Sequence, residues 1–428
     1  MDEGSRLFAE QLRRTRLAAG LSLSELAKRV HYSKGYLSKI ETGAKAAGID
    51  LARRCDAALG AEGMLTALIT QPGTAATRPD SPEEAWTGEV WMMNLDSGGS
   101  TWFNPVRRRD ALASGAALLT LGLTERRASA AVQDESNLQA FQAIFEQHRK
   151  IGQTMSPVMV LPSLIAQTHT LRELAMVAKG QTRERYLRLA SRYAEYTGWM
   201  TQETGNDKAA LWWTRTAVEM AGAAGDHDVA AHSLVRHALI TLYREDAVQT
   251  IELAQQAQAD AKAPARIRGM AALREAQGHA LAGDDRNCRS TLDRAVQLLE
   301  SVGASDGMVL GTTSITSMGP LVTAWCLYDL GRPGQAAELL DTNLTPAMGR
   351  RAHTRFGARR ALAHAAAGEI DQACVLAEDV LDSAELVDSA TIRFDLRRLA
   401  RTLARWSSHK PVRELQPRLT SALHAPVS

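Results

Sequence analysis

Five small or compact positions, Ala210, Thr250, Cys288, Ala336 and Ala373, recur at intervals of about 40 residues, one of them nearer 50. Five residues before each stand Gly205, Glu245, Gly283, Gly331 and Gly368. Four of the five are glycine, the residue that most easily takes the left-handed backbone ending a helix. Seven residues after each comes Ala217, Ala257, Ala295, Asn343 or Val380, mostly small enough for paired helices to approach closely. A period of this length, with a turn inside each unit, constrains residues from about 135 onward to an array of stacked helix pairs. The segments "TGND", "AGDD", "LGRP" and "AGEI" read as the turns.

The rest of the chain agrees with an all-α class. Apolar residues recur at helical spacing nearly throughout, and no convincing alternating strand run stands out. With 428 residues the chain can hold two or three domains, and its net charge of +2 gives no blanket affinity for nucleic acid or anionic membranes. Any basic surface must be local. No apolar run reaches the roughly 20 residues of a membrane helix, so a cytoplasmic protein with no membrane partner is expected. Cys55, Cys288, Cys326 and Cys374 form no C-x-x-C pair and sit among helical apolar residues, as small core side chains do. The 11 histidines show neither H-E-x-x-H nor clustered ligand spacing. No catalytic constellation, metal or cofactor is expected, and the chain is not read as an enzyme.

The N-terminal stretch has a different grammar. Ser5 to Ala19 predicts a helix with Phe8, Leu12 and Thr15 on one face, ended by Gly20. Ser22-Leu23-Ser24-Glu25 is a capping box opening a second helix to about Val30. His31 and Tyr32 make a tight turn, and Ser33 caps a third helix over Lys34 to Glu41 that Gly43 terminates. With Leu26, Ala27, Val30, Leu37 and Ile40 facing inward, this is a helix-turn-helix arrangement. At Leu12, Arg16, Gly20, Ser22, Leu26, Ala27, Ser33, Leu37, Ser38, Ile40, Glu41 and Gly43 it resembles the lambda-repressor-like, or XRE, family. "LARRCDAALGAEGML" supplies the closing helices of a five-helix domain at 1–70.

The resemblance implies double-stranded DNA as partner. A recognition helix puts its N-terminal residues into the major groove; here these are Ser33, Lys34, Gly35 and Tyr36, with Lys39 one turn on. Lysine donates to guanine or phosphate, tyrosine reaches a base edge or phosphate, and the free N–H groups at a helix start suit a phosphate. Leu23 stands where many members carry a DNA-contacting glutamine, and leucine cannot donate. Arg16 and Glu41 match a family pair that ties the first helix to the end of the recognition helix.

Between the two regions, 71–134 reads as a linker rich in proline, glycine and threonine. Its "DSGG" resembles a serine-protease nucleophile segment, but the remaining triad members and barrel strands are missing, so a turn is the better reading. "VRRRDALASGAALLTLGL", Val106 to Leu123, looks like a twin-arginine export signal. It lies far inside the chain behind a DNA-binding domain, and is expected instead to be a short helix over 107–123 that packs on the array or a second subunit.

The array at 135–428 resembles a degenerate tetratricopeptide (TPR) array with a polar C-terminal cap. Such arrays present a concave groove lined by first helices, and the analogy places Trp199, Gln202, His232, Arg236, Tyr243, Gln277, Trp325 and Tyr328 there. Arginine and glutamine suit a carboxylate or peptide backbone; tryptophan suits an apolar body. An XRE head followed by such repeats resembles peptide-sensing regulators of Gram-positive bacteria, and the alanine- and arginine-rich chain has an actinobacterial look. The expected function is a homodimeric transcriptional regulator with a peptide or small-molecule ligand. The alternative is an interaction scaffold whose groove holds a partner protein.

Overall fold

A computed structural model describes residues 3–61, 63–70, 89–95, 101–107, 130–302, 310–311, 318–345 and 348–424. Five helices form the N-terminal head: α1 (Glu3–Ala18), α2 (Leu23–Arg29), α3 (Lys34–Glu41), α4 (Ile49–Leu59) and α5 (Met64–Thr70). Phe8, Leu12, Leu26, Val30, Leu37 and Ile40 converge with Leu51, Cys55 and Leu65 into one core, and none of these nine is more than 1% exposed. Each such burial removes enough apolar surface to contribute about 1.5–3 kcal/mol. The Ser22 hydroxyl accepts from the Glu25 N–H while the Glu25 carboxylate accepts from the Ser22 N–H, closing the capping box. Asp56 performs the same service across helices: its carboxylate accepts from the Leu65 and Thr66 N–H groups and from the Thr66 hydroxyl, fixing the start of α5.

Two strands follow, β1 (Glu89–Leu95) and β2 (Thr101–Arg107), paired antiparallel from Glu89↔Arg107 to Leu95↔Thr101. The sequence reading anticipated only linker here. Valine, tryptophan and phenylalanine favour extended backbone, but Asn94, Asn104 and Pro105 interrupt the alternation that marks a strand. "DSGG", at 96–99, lies outside the described residues. Arg107, expected to open a helix, is the last residue of β2; the remainder of that expected helix, 108–123, lies outside the described residues.

The array begins with α6 (Ala130–Gly152) and α7 (Leu161–Val177). Five helix pairs follow: α8 (Gly180–Glu203) with α9 (Asp207–Ala223), α10 (Asp228–Tyr243) with α11 (Ala247–Ala259), α12 (Ala265–Ala282) with α13 (Asp285–Glu300), α14 (Met318–Asp329) with α15 (Pro333–Asn343), and α16 (Arg350–Ala367) with α17 (Ile370–Val387). α18 (Ala390–Leu403) and α19 (Lys410–His424) cap them. The repeat positions fall where the spacing puts them. Ala210, Thr250, Cys288, Ala336 and Ala373 are no more than 1% exposed. All five turn residues have positive φ, and Glu245, the lone non-glycine, takes 58°. Asn206, Asp246 and Asp284 then cap the following helices through their side chains. All four cysteines are buried free thiols.

Two long-range junctions complete the architecture. First, the array closes on itself. Arg351, 1% exposed, donates to the Gly152, Met155 and Val387 carbonyls and to Glu203, while its own N–H donates to the Gln153 carbonyl. The first and last repeats thereby meet around a partly open pocket.

Second, the head is docked on the edge of the array where the turns lie. Arg53 and Arg54 of α4 donate to the Leu281 and Ala366 carbonyls, so two cations cap the negative C-terminal ends of α12 and α16. Arg53 and Arg398 share Asp329, and Arg398 also reaches Asp50. The turn glycines make the close fit possible. A Cβ at Gly331 would lie 2.5 Å from the Arg53 carbonyl oxygen, one at Gly283 would meet the Gly63 Cα at 2.8 Å, and one at Gly368 the His31 ring at 3.1 Å.

Candidate functional site

The exposed end of the head is the start of α3. Ser33 is its N-cap, with its hydroxyl accepting from the Tyr36 N–H at 3.2 Å. Ser33, Lys34, Gly35 and Lys39 are exposed. A Cβ at Gly35 would meet nothing within 4 Å, so a close surface can approach there. Tyr36 is only half-buried; its ring packs on Tyr32 at 5.3 Å and lies under the Lys45 ammonium at 4.6 Å. The apolar residues of α3, Leu37 and Ile40, point into the core, so the face carrying Lys34 and Lys39 is free. Lys34 and the open backbone N–H groups at the helix start, with Lys39 in its last turn, can receive phosphate and reach base edges.

Behind it, the Arg16 Nε and Nη2 donate to the two Glu41 carboxylate oxygens at 2.6 and 2.8 Å, and Nη1 donates to the Leu21 carbonyl. The fork is bidentate, with both side chains under 10% exposed. The Glu41 bond raises the Arg16 pKa above its ordinary value. The pair fixes the end of α3 against α1.

Arg405 of the capping region lies over the Tyr32 ring and donates to the His31 carbonyl. The helix-turn-helix turn is therefore held from below by the array. Burial pushes the His31 imidazole down, and Arg54 and Arg405 push it further.

The second site is the array's pocket of about 110 Å3, bounded by α6, α14, α16 and the first helices between them. Phe145, Trp199, Leu239 and Met270 supply an apolar wall. Five arginines, Arg149, Arg192, Arg236, Arg274 and Arg355, line it as well, with Glu195 and His232. Arg192 pairs with Asp226 at 2.8 Å and Arg355 with Glu203 at 2.5 Å. Glu195 stands 3.5 Å from His232 and 3.8 Å from Arg236. Burial pushes His232 down to about 4, so it is neutral near pH 7. Burial likewise lowers Arg274 to about 10.

The eight residues expected in the groove divide. Trp199, His232 and Arg236 line the cavity. Gln202 and Gln277 sit one layer behind, accepting from Arg236 and Arg274. The last three face elsewhere. Tyr243 packs its edge on Trp325 and Phe394, and Trp325 donates to Asp329 beneath the Arg359 guanidinium. Tyr328 lies under Arg398 at the junction with the head. Trp325 thus packs in a core between α10, α14 and α16, and only Tyr328 lies against the junction with the head. Arg274, Arg355 and Glu203 were not singled out from sequence; arginine recurring on the first helices was the available signal.

A helix-turn-helix domain family model matches residues 7–69, so the head is a helix-turn-helix domain. No curated protein matches the chain in sequence. Among solved structures, one titled as a Rap protein complexed with competence and sporulation factor is loosely similar. It has 11% identity and a TM-score of 0.42, over 68% of this chain and 97% of that one. Among the described residues no helix is long and apolar enough to cross a membrane, and no cluster of His, Cys, Asp and Glu could hold a metal ion.

Proposed function

We infer that the chain is a cytoplasmic, sequence-specific transcriptional regulator of the XRE type, without enzymatic activity, whose repeat array dimerises and responds to a ligand. The observation that carries the reading is the exposed, capped start of α3 with Lys34 and Lys39 on a head locked by Arg16–Glu41. Lys34 and Lys39 contact DNA, Ser33 and Gly35 let the backbone approach, and Tyr36 reaches a base edge or phosphate beside them. Two heads carried by a dimer read two half-sites spaced by whole helical turns. The docking of the head on the array supports the array's role in setting that spacing, because the head's orientation is fixed by direct contact.

The test is selection of binding sites from a random duplex pool with the full-length protein, followed by mobility shift. A palindromic site is expected, with Lys34→Ala weakening it by about 1–3 kcal/mol. Absence of any enriched sequence, or an unchanged affinity for the variant, overturns the reading.

A further inference from the structure

Among the described residues guanidinium groups outnumber carboxylates around the cavity. Six of them, the five lining arginines and Arg351 beside Arg355, face four carboxylates within 4 Å: Glu146, Asp226, Glu195 and Glu203. Glu203 serves two of the six. Among the described residues no carboxylate lies within 4 Å of Arg274; it donates to the neutral Gln277 amide, and its Nε has no hydrogen-bond partner. The buried Arg236 likewise leaves Nε without a hydrogen bond. Buried cations with spare donors are costly unless an anion meets them. Trp199, Leu239 and Met270 add apolar surface to the same pocket, and its volume of about 110 Å3 lies well below the several hundred Å3 of pockets that swallow drug-sized molecules.

We propose that the cavity binds a compact amphipathic carboxylate, its head group on Arg274 and Arg236 and its short apolar body against Trp199, Leu239 and Met270. A guanidinium fork matches a carboxylate bidentately, and the apolar wall gives the body a place that a bare inorganic anion would leave empty. The size selects a short-chain acid over a peptide chain. This deepens the sensing half of the regulator reading, but it is read out by binding alone and stands or fails apart from DNA recognition.

The test is titration calorimetry and thermal denaturation of the full-length protein with butyrate, butyramide and inorganic phosphate as probes. Butyrate is expected to bind saturably and raise the Tm; butyramide, which has the same body and no charge, binds at least tenfold more weakly. Arg274→Met is expected to weaken butyrate at least tenfold and Arg274→Lys only a few-fold. The butyrate–butyramide comparison needs no variant, so a misfolded Arg274→Met protein leaves the proposal exposed. Equal binding of butyrate and butyramide overturns it, as does phosphate binding more tightly than butyrate, or no saturable binding of butyrate at all.

Discussion

Two glutamates in this chain hold arginines by the same chemistry over very different distances. Glu41 takes the fork of Arg16, 25 residues away, inside the head. Glu203 takes Arg351 and Arg355, 148 and 152 residues away, and with them the Ser389 and Thr391 hydroxyls and the Trp199 indole N–H. The first pair tightens a unit already closed by its apolar core. The second joins the two ends of an array that short-range stacking alone would leave open. By loop-closure entropy the longer span costs only about 1.6 kcal/mol more to bring together, so a handful of good hydrogen bonds suffices to close it. What distinguishes the two is dependence on context: Glu203 is 1% exposed and surrounded by donors from both ends of the array.

The comparison predicts an order of effects. Glu203→Ala strands two buried guanidinium groups and is expected to cost about 3–5 kcal/mol, read as a lowered urea midpoint of the full-length protein. It also lets the first and last repeats part, so amides of α8 and α18 exchange faster. If those amides stay protected, the closure does not depend on this carboxylate. Glu41→Ala is expected to cost less, about 1–3 kcal/mol, because its site is nearer solvent and Arg16 keeps the Leu21 carbonyl. Here the faster exchange should be confined to α1 and α3; a spread into the array would mean that head and array melt as one unit.

A pH titration gives the smallest and sharpest contrast. Burial alone would raise the Glu203 carboxyl, but Arg355, Arg351, Ser389 and Thr391 outweigh it and hold it down at about 2. The unfolded value is about 4.3. A folded pKa below the unfolded one means stability that is fully present above the unfolded value and lost as pH falls toward the folded one. Closure should therefore weaken between about pH 4.3 and pH 2, and Glu203→Gln should flatten that slope. An equal slope in the variant would assign the acid sensitivity to other groups.

The head was largely legible because its signals are local. Ser22 and Glu25 are three residues apart, Ser33 directly precedes the helix it caps, and the ordered match from Leu12 to Gly43 fixed which face is core. The array was legible in its period and its turns; even Glu245 adopts the left-handed backbone that its place in the series demands. The inner wall was legible only in part. Helical spacing tells which side of a helix meets a neighbour but not which neighbour: Tyr243 and Trp325 pack on each other and Tyr328 lies under Arg398, outside the pocket lining. The hairpin escaped because Asn94, Asn104 and Pro105 break its alternation. Asp329, which joins Trp325, Arg53 and Arg398, carries no sequence signal: its partners lie 276 and 69 residues away.

The glycines at 283, 331 and 368 belong to three consecutive helix pairs, and the head rests on all three. A body seated across three rungs of a ladder acts as a gauge of their spacing. If the pitch of the array tightens or relaxes, the three seats no longer match one rigid footprint, and the head must tilt or lift from one of them. Because the Gly368 seat lies against His31, three residues before Lys34, a shift of that rung reaches the turn that carries α3 directly. Steric smallness at three turns thus ties the curvature of the repeat array to the seating of the helix-turn-helix head.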